Sequence, residues 1–233
     1  MTVVSFPSPN YTPGRSRPIT RILIHATRGG TAPPEIERQA TLNWFANPTS
    51  QASAHAVIAV DGTIYRCVAD ENTAWHAGDK DPALNENPGS LGVELVQARI
   101  ESPFTQAQYT SLVWLVKDWC EKWLIPKDRS HILGHEETAQ GIEQGKTDPG
   151  PQFKWLMFMR MLEEGTMPEL DILTADLIGG YLLGHSWRWM LDRKPQSLMD
   201  VVFVITGSQE FQNRLKADHD AYKKMVDELK SRG

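Results

Sequence analysis

Short apolar segments of strand length alternate along much of the chain with longer segments of helical spacing. Residues 19–26 (ITRILIHA) and 91–96 (LGVELV) are typical of buried strands, because they are short, apolar and flanked by polar or turn-forming residues. Residues 35–46 have helical spacing, with Ile36 and Trp44 on one face. This alternation predicts an α/β domain.

A hairpin signal lies between two further β-rich segments. Asp61 and Gly62 join residues 53–60 to residues 63–68. An Asp-Gly pair in this setting predicts a β-hairpin, because the tight turn requires positive φ.

Two longer helices are expected in the second half of the domain. Thr105 and Gln108 form a capping-box pattern at the head of an apolar helix over residues 105–124, which Pro126 ends. Residues 152–163 predict a closing helix, after a stretch over 131–150 that is expected to be mostly loop. The domain is therefore predicted to cover residues 1–164.

The remaining residues, 165–233, differ in character and predict a small all-α C-terminal region. Their helical segments are broken by glycines and by Pro195. One interpretation is a binding module with Tyr181, Trp187 and Trp189 stacking on glycans. The other is a surface that packs on the first domain or pairs chains into a homo-oligomer.

Charge and cysteine usage exclude several classes of protein. The net charge is −5, so the basic surface of a nucleic-acid binder is not expected. The chain has no signal-peptide pattern and no apolar run of the roughly 20 residues that span a bilayer, so we expect cytoplasmic synthesis without membrane insertion. Cys67 and Cys120 are interpreted as core residues rather than a disulfide or a metal pair.

Three polar residues stand where side chains can be displayed. His25 ends the first buried strand, His135 follows a glycine, and Asp148 precedes Pro-Gly in a turn. Two imidazoles and a carboxylate suit catalytic zinc, which leaves a fourth position for water. Taken singly, each also fits an ordinary structural residue, so the pattern alone leaves both interpretations open.

The order of six motifs resembles the type 2 N-acetylmuramoyl-L-alanine amidases. The motifs cover about residues 19–160 and read ILIHATRG, SAHAVIAVDGTIY, TAWHAG, SLGVELV, ILGHEE and GKTDPGP. That family includes phage endolysins and bacterial recycling amidases, and it is related to the peptidoglycan recognition proteins. The resemblance implies a mixed central β-sheet flanked by helices, with Zn²⁺ held by His25, His135 and Asp148.

The resemblance also implies roles for other residues. Glu94 would be the catalytic glutamate that accepts a proton from the attacking water, and Lys146 would stabilise the oxyanion. Residues expected at or next to the substrate are Thr27, which would also support the metal shell, and His55, Trp75 and His76.

The function expected from the resemblance is zinc-dependent hydrolysis of the amide bond between N-acetylmuramic acid and L-alanine in peptidoglycan. The appended residues 165–233 favour a phage endolysin that reaches the cell wall after another protein has permeabilised the membrane. The alternatives are a cytosolic recycling amidase acting on anhydro-muropeptides and a recognition module without catalysis.

Overall fold

A computed structural model describes residues 1–28, 30, 32–78 and 81–164, and its strands and helices are as follows. The strands are β1 (Val3–Ser5), β2 (Tyr11–Thr12), β3 (Arg21–Ala26), β4 (Ala56–Ile58), β5 (Ile64–Arg66), β6 (Thr73–Ala74), β7 (Ser90–Leu95) and β8 (Ile132–Gly134). The α-helices are α1 (Pro34–Ala46), α2 (Gln106–Trp123), α3 (Ala139–Glu143) and α4 (Trp155–Glu164). Turns of 3₁₀ helix cover Pro48–Ser50, Asn87–Gly89 and His135–Glu137.

Strands of both directions form the central sheet, in the order β1-β5-β4-β7-β3-β8. β3 runs parallel to β7 on one side and to β8 on the other, and β7 is also parallel to β4. β4 and β5 are antiparallel, while β1 is parallel to β5. β2 and β6 pair separately as a small antiparallel sheet. The predicted mixed sheet flanked by helices is confirmed.

The hairpin and the capping box are both present. Gly62 turns the chain between β4 and β5 with φ of 84°, which glycine adopts without strain. At α2, the Thr105 side chain accepts from the backbone N–H of Gln108, whose side chain accepts from the backbone N–H of Thr105. Local sequence therefore determined these two boundaries.

The buried face of α1 differs from the predicted one. Ile36 and Trp44 are 59% and 54% exposed, whereas Leu42 and Phe45 are buried. Leu42 and Phe45 pack in a core cluster with Val57 of β4 and other residues. The helix carries apolar residues on more than one face, so spacing alone did not decide which face meets the sheet.

Two segments for which the sequence analysis predicts no strand contain pairing strands. Residues 1–18 supply β1 and β2, and the stretch over residues 131–150, expected to be mostly loop, supplies β8 and the short helix α3. These strands have only two or three residues each, too few to show a period. Pairing with longer strands, rather than local sequence, stabilises them.

The remaining expectations can be compared with the structure only up to residue 164. Cys67 and Cys120 are buried free thiols, as predicted, and α4 closes the described part of the chain. No helix within the described residues is both long enough and apolar enough to cross a membrane. The proposed helical region 165–233, including Tyr181, Trp187 and Trp189, lies outside the described residues and stays a prediction.

Candidate metal centre

Parallel strands bring three candidate side chains to one edge of the sheet. The register of β3 and β7 sets His25 beside Glu94. β8 lies on the other side of β3 and ends at Gly134, so His135 follows at the same edge. The carboxyl ends of parallel strands meet at one edge, which is where α/β proteins commonly place their ligands.

His25, His135 and Asp148 form a compact cluster whose candidate ligand atoms all lie within 4.8 Å of one another. Oδ2 of Asp148 is 3.1 Å from Nδ1 of His25 and 3.2 Å from Nδ1 of His135. Both imidazoles are buried, and the carboxylate is partly buried.

The orientation of His135 shows that this cluster fits a cation. Nε2 of His135 lies 2.9 Å from Oε1 of Gln140, whose amide nitrogen donates to the carbonyl oxygen of Gly78. Nε2 of His135 must then carry the hydrogen, because Oε1 can only accept. A neutral ring therefore turns the bare Nδ1 towards the Asp148 carboxylate. Two acceptors at this distance repel unless a cation or an added proton lies between them.

The donor set therefore fits Zn²⁺. Two imidazole nitrogens and one carboxylate oxygen supply three ligands, and a tetrahedral zinc site leaves the fourth position for water or substrate. The bond from His135 to Gln140 is of the kind that orients histidines in metal sites.

Glu94 stands beside this cluster in an environment that opposes its charge. The side chain is partly buried, and Oε2 is buried without a hydrogen-bond partner among the residues that the structure describes. Burial raises the pKa of Glu94 to about 8, with the carboxylates of Asp148 and Glu37 adding to the effect. The charges of Lys146 and Arg28 act in the opposite direction. A carboxyl group that is uncharged near neutral pH and ends in an unpaired atom is suited to proton transfer.

Arg28 holds the loop that carries Lys146 and Asp148. Its guanidinium donates from Nη1 to Oγ1 of Thr147 over 2.7 Å and from Nη2 to the carbonyl oxygen of Pro149 over 2.6 Å. Nε donates to Oε1 of Gln97 over 3.1 Å, at the end of β7. The side chain of Lys146 is exposed, which leaves its ammonium group free to approach a substrate.

His76 and His55 have different surroundings, although sequence reasoning grouped them at the substrate. His76 is partly buried, and its Nδ1 lies 3.0 Å from Nε2 of His25. His55 is fully buried, accepting from the backbone N–H of Gly92 at Nδ1 and contacting the carbonyl oxygen of Asn72 at Nε2. Burial, more than any other cause, holds both pKa values well below the ordinary value. His55 therefore supports the sheet and has no exposed surface for a substrate in this structure.

Trp75 and Thr27 contact residues other than the three candidate ligands. Trp75 is partly exposed and donates from Nε1 to Oγ1 of Thr12. Its ring lines a cavity of about 310 Å³, large enough for part of a ligand. Thr27 accepts through Oγ1 from the backbone N–H of Gln97 and so joins the ends of β3 and β7. Thr27 thus supports the strand that carries His25, while Trp75 borders a separate space.

Sequence reasoning missed several residues of the site. Arg28 lies within the motif ILIHATRG and Gln140 follows the motif ILGHEE by three residues, but neither was singled out, because an arginine or a glutamine is ordinary in a loop. Glu37 is buried within α1, although an acidic residue in a first turn usually faces solvent. A period of two along Ser90, Gly92 and Glu94 could have indicated that these residues share one face of β7.

The chain matches a known protein family. The family described as N-acetylmuramoyl-L-alanine amidase matches residues 15–151, which is more than half of the chain. His25, His135 and Asp148 lie within that span, and so do Glu94 and Lys146.

Individual proteins resemble the same part of the chain. The 1,6-anhydro-N-acetylmuramyl-L-alanine amidase AmpD of Enterobacter cloacae is 34% identical over 120 residues, which cover 51% of this chain and 61% of that protein. The chain thus spans less than two thirds of that relative. N-acetylmuramoyl-L-alanine amidase A of Achromobacter lyticus is 25% identical over 174 residues, covering 68% of this chain and 90% of that protein. The crystal structure of a selenomethionine AmpD derivative superposes with a TM-score of 0.54 at 28% identity, covering 69% of this chain and 93% of that one.

Proposed function

The chain belongs to the N-acetylmuramoyl-L-alanine amidase family, and from this premise we propose that it hydrolyses the amide bond between N-acetylmuramic acid and L-alanine in peptidoglycan with the help of zinc. The convergence of His25, His135 and Asp148 carries the proposal, since these donors meet beside Glu94. A recognition module without catalysis would need neither a full set of ligands nor an unpaired carboxyl group next to it.

The reaction needs an activated water and a polarised carbonyl group. Zinc, when bound, would lower the pKa of water and polarise the amide carbonyl. Glu94 would accept the proton of the attacking water at Oε2, the atom left without a partner, and would return it to the leaving amine of L-alanine. A cation held by the three ligands would favour the ionised form of Glu94 that this step requires.

Lys146 would stabilise the negative charge that forms on the amide carbonyl oxygen. The carbonyl oxygen of the amide gains negative charge as water attacks, and a cation nearby stabilises that charge. Lys146 is exposed on the loop that also supplies Asp148, and its charge acts on the pKa of Glu94. Arg28 would keep that loop in place while substrate binds.

The test is to strip the full chain of metal, reload it with zinc, and digest purified sacculi. We expect about one zinc per chain, and mass spectrometry should find peptides with a free L-alanine amine. His25→Ala, His135→Ala and Asp148→Ala should each lose zinc or turnover, because each removes a ligand. His131→Ala is the matched control, since His131 is outside the cluster and pairs with Asp128. Full turnover and metal content in two of the three ligand variants would contradict the assignment.

Two physiological substrates fit this chemistry. We propose a lytic role of the phage endolysin type, acting on intact wall, because residues 165–233 would add a second attachment to a polymeric substrate. A second candidate is recycling of soluble fragments, favoured by the AmpD relative, whose name specifies a 1,6-anhydro-N-acetylmuramyl substrate.

The two roles differ in the glycan that they accept. Rates on intact sacculi and on purified anhydro-muropeptides should be measured with the same zinc-loaded protein. A lytic enzyme should release peptides from sacculi at a rate comparable to that on soluble fragments. A strong preference for the anhydro form, with little release from sacculi, would replace the lytic role with the recycling one.

A further inference from the structure

We propose that His76 is a positioning residue for the metal centre. Together with Ser90 it would hold the hydrogen of His25 on Nε2 and leave the lone pair of Nδ1 for the metal. The inference rests on the proposed function, since it concerns the same zinc site. The family resemblance implied a substrate-binding role for His76, whereas its ring contacts His25, one of the proposed metal ligands.

The direction of the hydrogen bonds starts at Ser90. Its hydroxyl group donates to the backbone carbonyl oxygen of Glu86 over 2.7 Å. The same oxygen lies 3.3 Å from Nε2 of His76. Because the only hydroxyl hydrogen is already used, a bond between these two groups requires the hydrogen to come from Nε2 of His76. A neutral imidazole has a single N–H, so Nδ1 of His76 is left as an acceptor.

That acceptor determines the state of His25. Nε2 of His25 lies 3.0 Å from Nδ1 of His76 and must therefore donate the hydrogen. The other nitrogen of a neutral His25 is then bare, and it faces Oδ2 of Asp148 at 3.1 Å. The chain from Ser90 through His76 thus leaves His25 with its lone pair directed at the metal position. Hydrogen bonds to the second nitrogen commonly set the tautomer of zinc-ligating histidines.

The opposite direction of these hydrogen bonds would make Nδ1 of His25 unavailable to a metal. If Ser90 donated to His76 instead, His76 would carry its hydrogen on Nδ1, and His25 would carry its hydrogen on Nδ1 as well. His25 would then donate to Asp148, and neither group could offer those atoms to a cation. The shorter distance from Ser90 to Glu86, 2.7 Å against 3.3 Å to His76, favours the orientation that keeps the site open.

The strand beneath His76 provides the space that this arrangement needs. Ser90, Gly92 and Glu94 alternate along β7 and face the same side of the sheet as His25. A Cβ at Gly92 would collide with the His76 ring, so the ring lies directly on the backbone of that glycine. The backbone N–H of His76 also donates to Oδ1 of Asn87. The His76 ring is therefore fixed between β7 and His25. This position suits a residue that holds His25 in place better than one that moves to contact a substrate.

Zinc affinity tests the proposal without any need for turnover. Competition with a chelating dye should be measured on the metal-stripped full chain and on two variants. His76→Phe keeps an aromatic ring but removes the acceptor, and it should weaken zinc binding by about 10- to 100-fold. His76→Asn places Oδ1 on the same branch as the lost Nδ1 and should recover most of that loss. His131→Ala, which removes a partly exposed histidine outside the cluster, should bind zinc as the wild type does.

A spectroscopic measurement on the metal-free wild type tests the tautomer directly. Two-bond ¹⁵N–¹H correlation spectra should show the hydrogen of His25 on Nε2 and that of His76 on Nε2. A hydrogen on Nδ1 of His25 would overturn the inference, even if His76→Phe does not fold. Wild-type and His76→Phe proteins that bind zinc equally well would overturn it too and leave the proposed function intact. A wild type that takes up no zinc would overturn both.

Discussion

At the scale of single residues, the environment that suits Glu94 to its proposed catalytic role also has a cost to folding. Its pKa is raised to about 8, first by burial and then by neighbouring carboxylates. An unfolded chain would ionise this group near 4.5, so the folded state binds the proton more tightly. The stability that the protonated group contributes is complete below pH 4.5 and is lost as the pH rises towards 8.

Glu94→Gln should therefore stabilise the metal-free protein while abolishing most of its activity. The amide keeps the shape of the uncharged acid, so we expect a free energy of unfolding higher by at least about 1 kcal/mol at pH 8. The gain should vanish near pH 4.5. Urea denaturation in the presence of a chelator, repeated across this pH range, measures the difference. In the zinc-loaded protein kcat should fall by about 100-fold or more.

Lys146→Ala provides the matched comparison. Its side chain is exposed, so we expect little change in stability together with a loss of kcat, because the role proposed for it concerns charge in the transition state. An unchanged kcat with a raised KM would assign Lys146 to substrate binding instead. A Glu94→Gln protein that is less stable than the wild type at pH 8 would contradict the account of burial given above.

At the scale of elements, the loop around Asp148 depends on contacts from outside itself. Arg28 donates to Thr147 and Pro149, on either side of the ligand, and also to Gln97. Gly134 of β8 lies beneath the same loop, where a Cβ would come within 2.7 Å of Pro149 Cδ. The position of Asp148, the third candidate ligand, thus depends on two strands and one arginine rather than on the turn sequence alone.

Arg28→Lys should weaken zinc binding while leaving the fold intact. A lysine keeps the charge but cannot hold three acceptors in fixed directions, so the loop should occupy its ligating position less often. We expect a loss of zinc affinity of about 10-fold, measured by dye competition on the metal-stripped protein. Arg99→Lys is the control, because Arg99 is an exposed arginine in the segment after β7. Equal affinities in the two variants would show that Arg28 does not position the loop.

At the scale of the whole molecule, α4 is the last element that the structure describes. Met157, Phe158, Met161 and Leu162 are buried along that helix. Residues 165–233 lie beyond the family match as well as outside the described residues. The role of residues 165–233 can therefore be tested by removing them.

A chain ended after residue 164 should keep its turnover on soluble muropeptides and lose its retention on sacculi. The reason is that the site residues belong to the first domain, whereas attachment to a polymer is assigned to the appended region. Co-sedimentation with sacculi and peptide release from soluble fragments measure the two properties side by side. Retention that does not change, together with a change in molar mass by light scattering, would favour the alternative in which this region pairs chains.

The sequence by itself determined much of the local structure and the chemical types of the site. The hairpin at Gly62 and the capping box at Thr105 depend on neighbouring residues only, so local sequence was enough to predict them. The resemblance of ordered motifs supplied the candidate ligands and Glu94, because their types and order along the chain are visible without a structure.

Only the tertiary structure decided how those residues act together. His25 and Asp148 are distant in the chain, and their approach depends on the parallel pairing of β3 with β7 and β8 and on the anchor at Arg28. The buried face of α1 was likewise decided by the sheet against which it packs. The bond from His76 to His25 could not be read from the sequence, since the direction of a hydrogen bond depends on which donors and acceptors surround it in space.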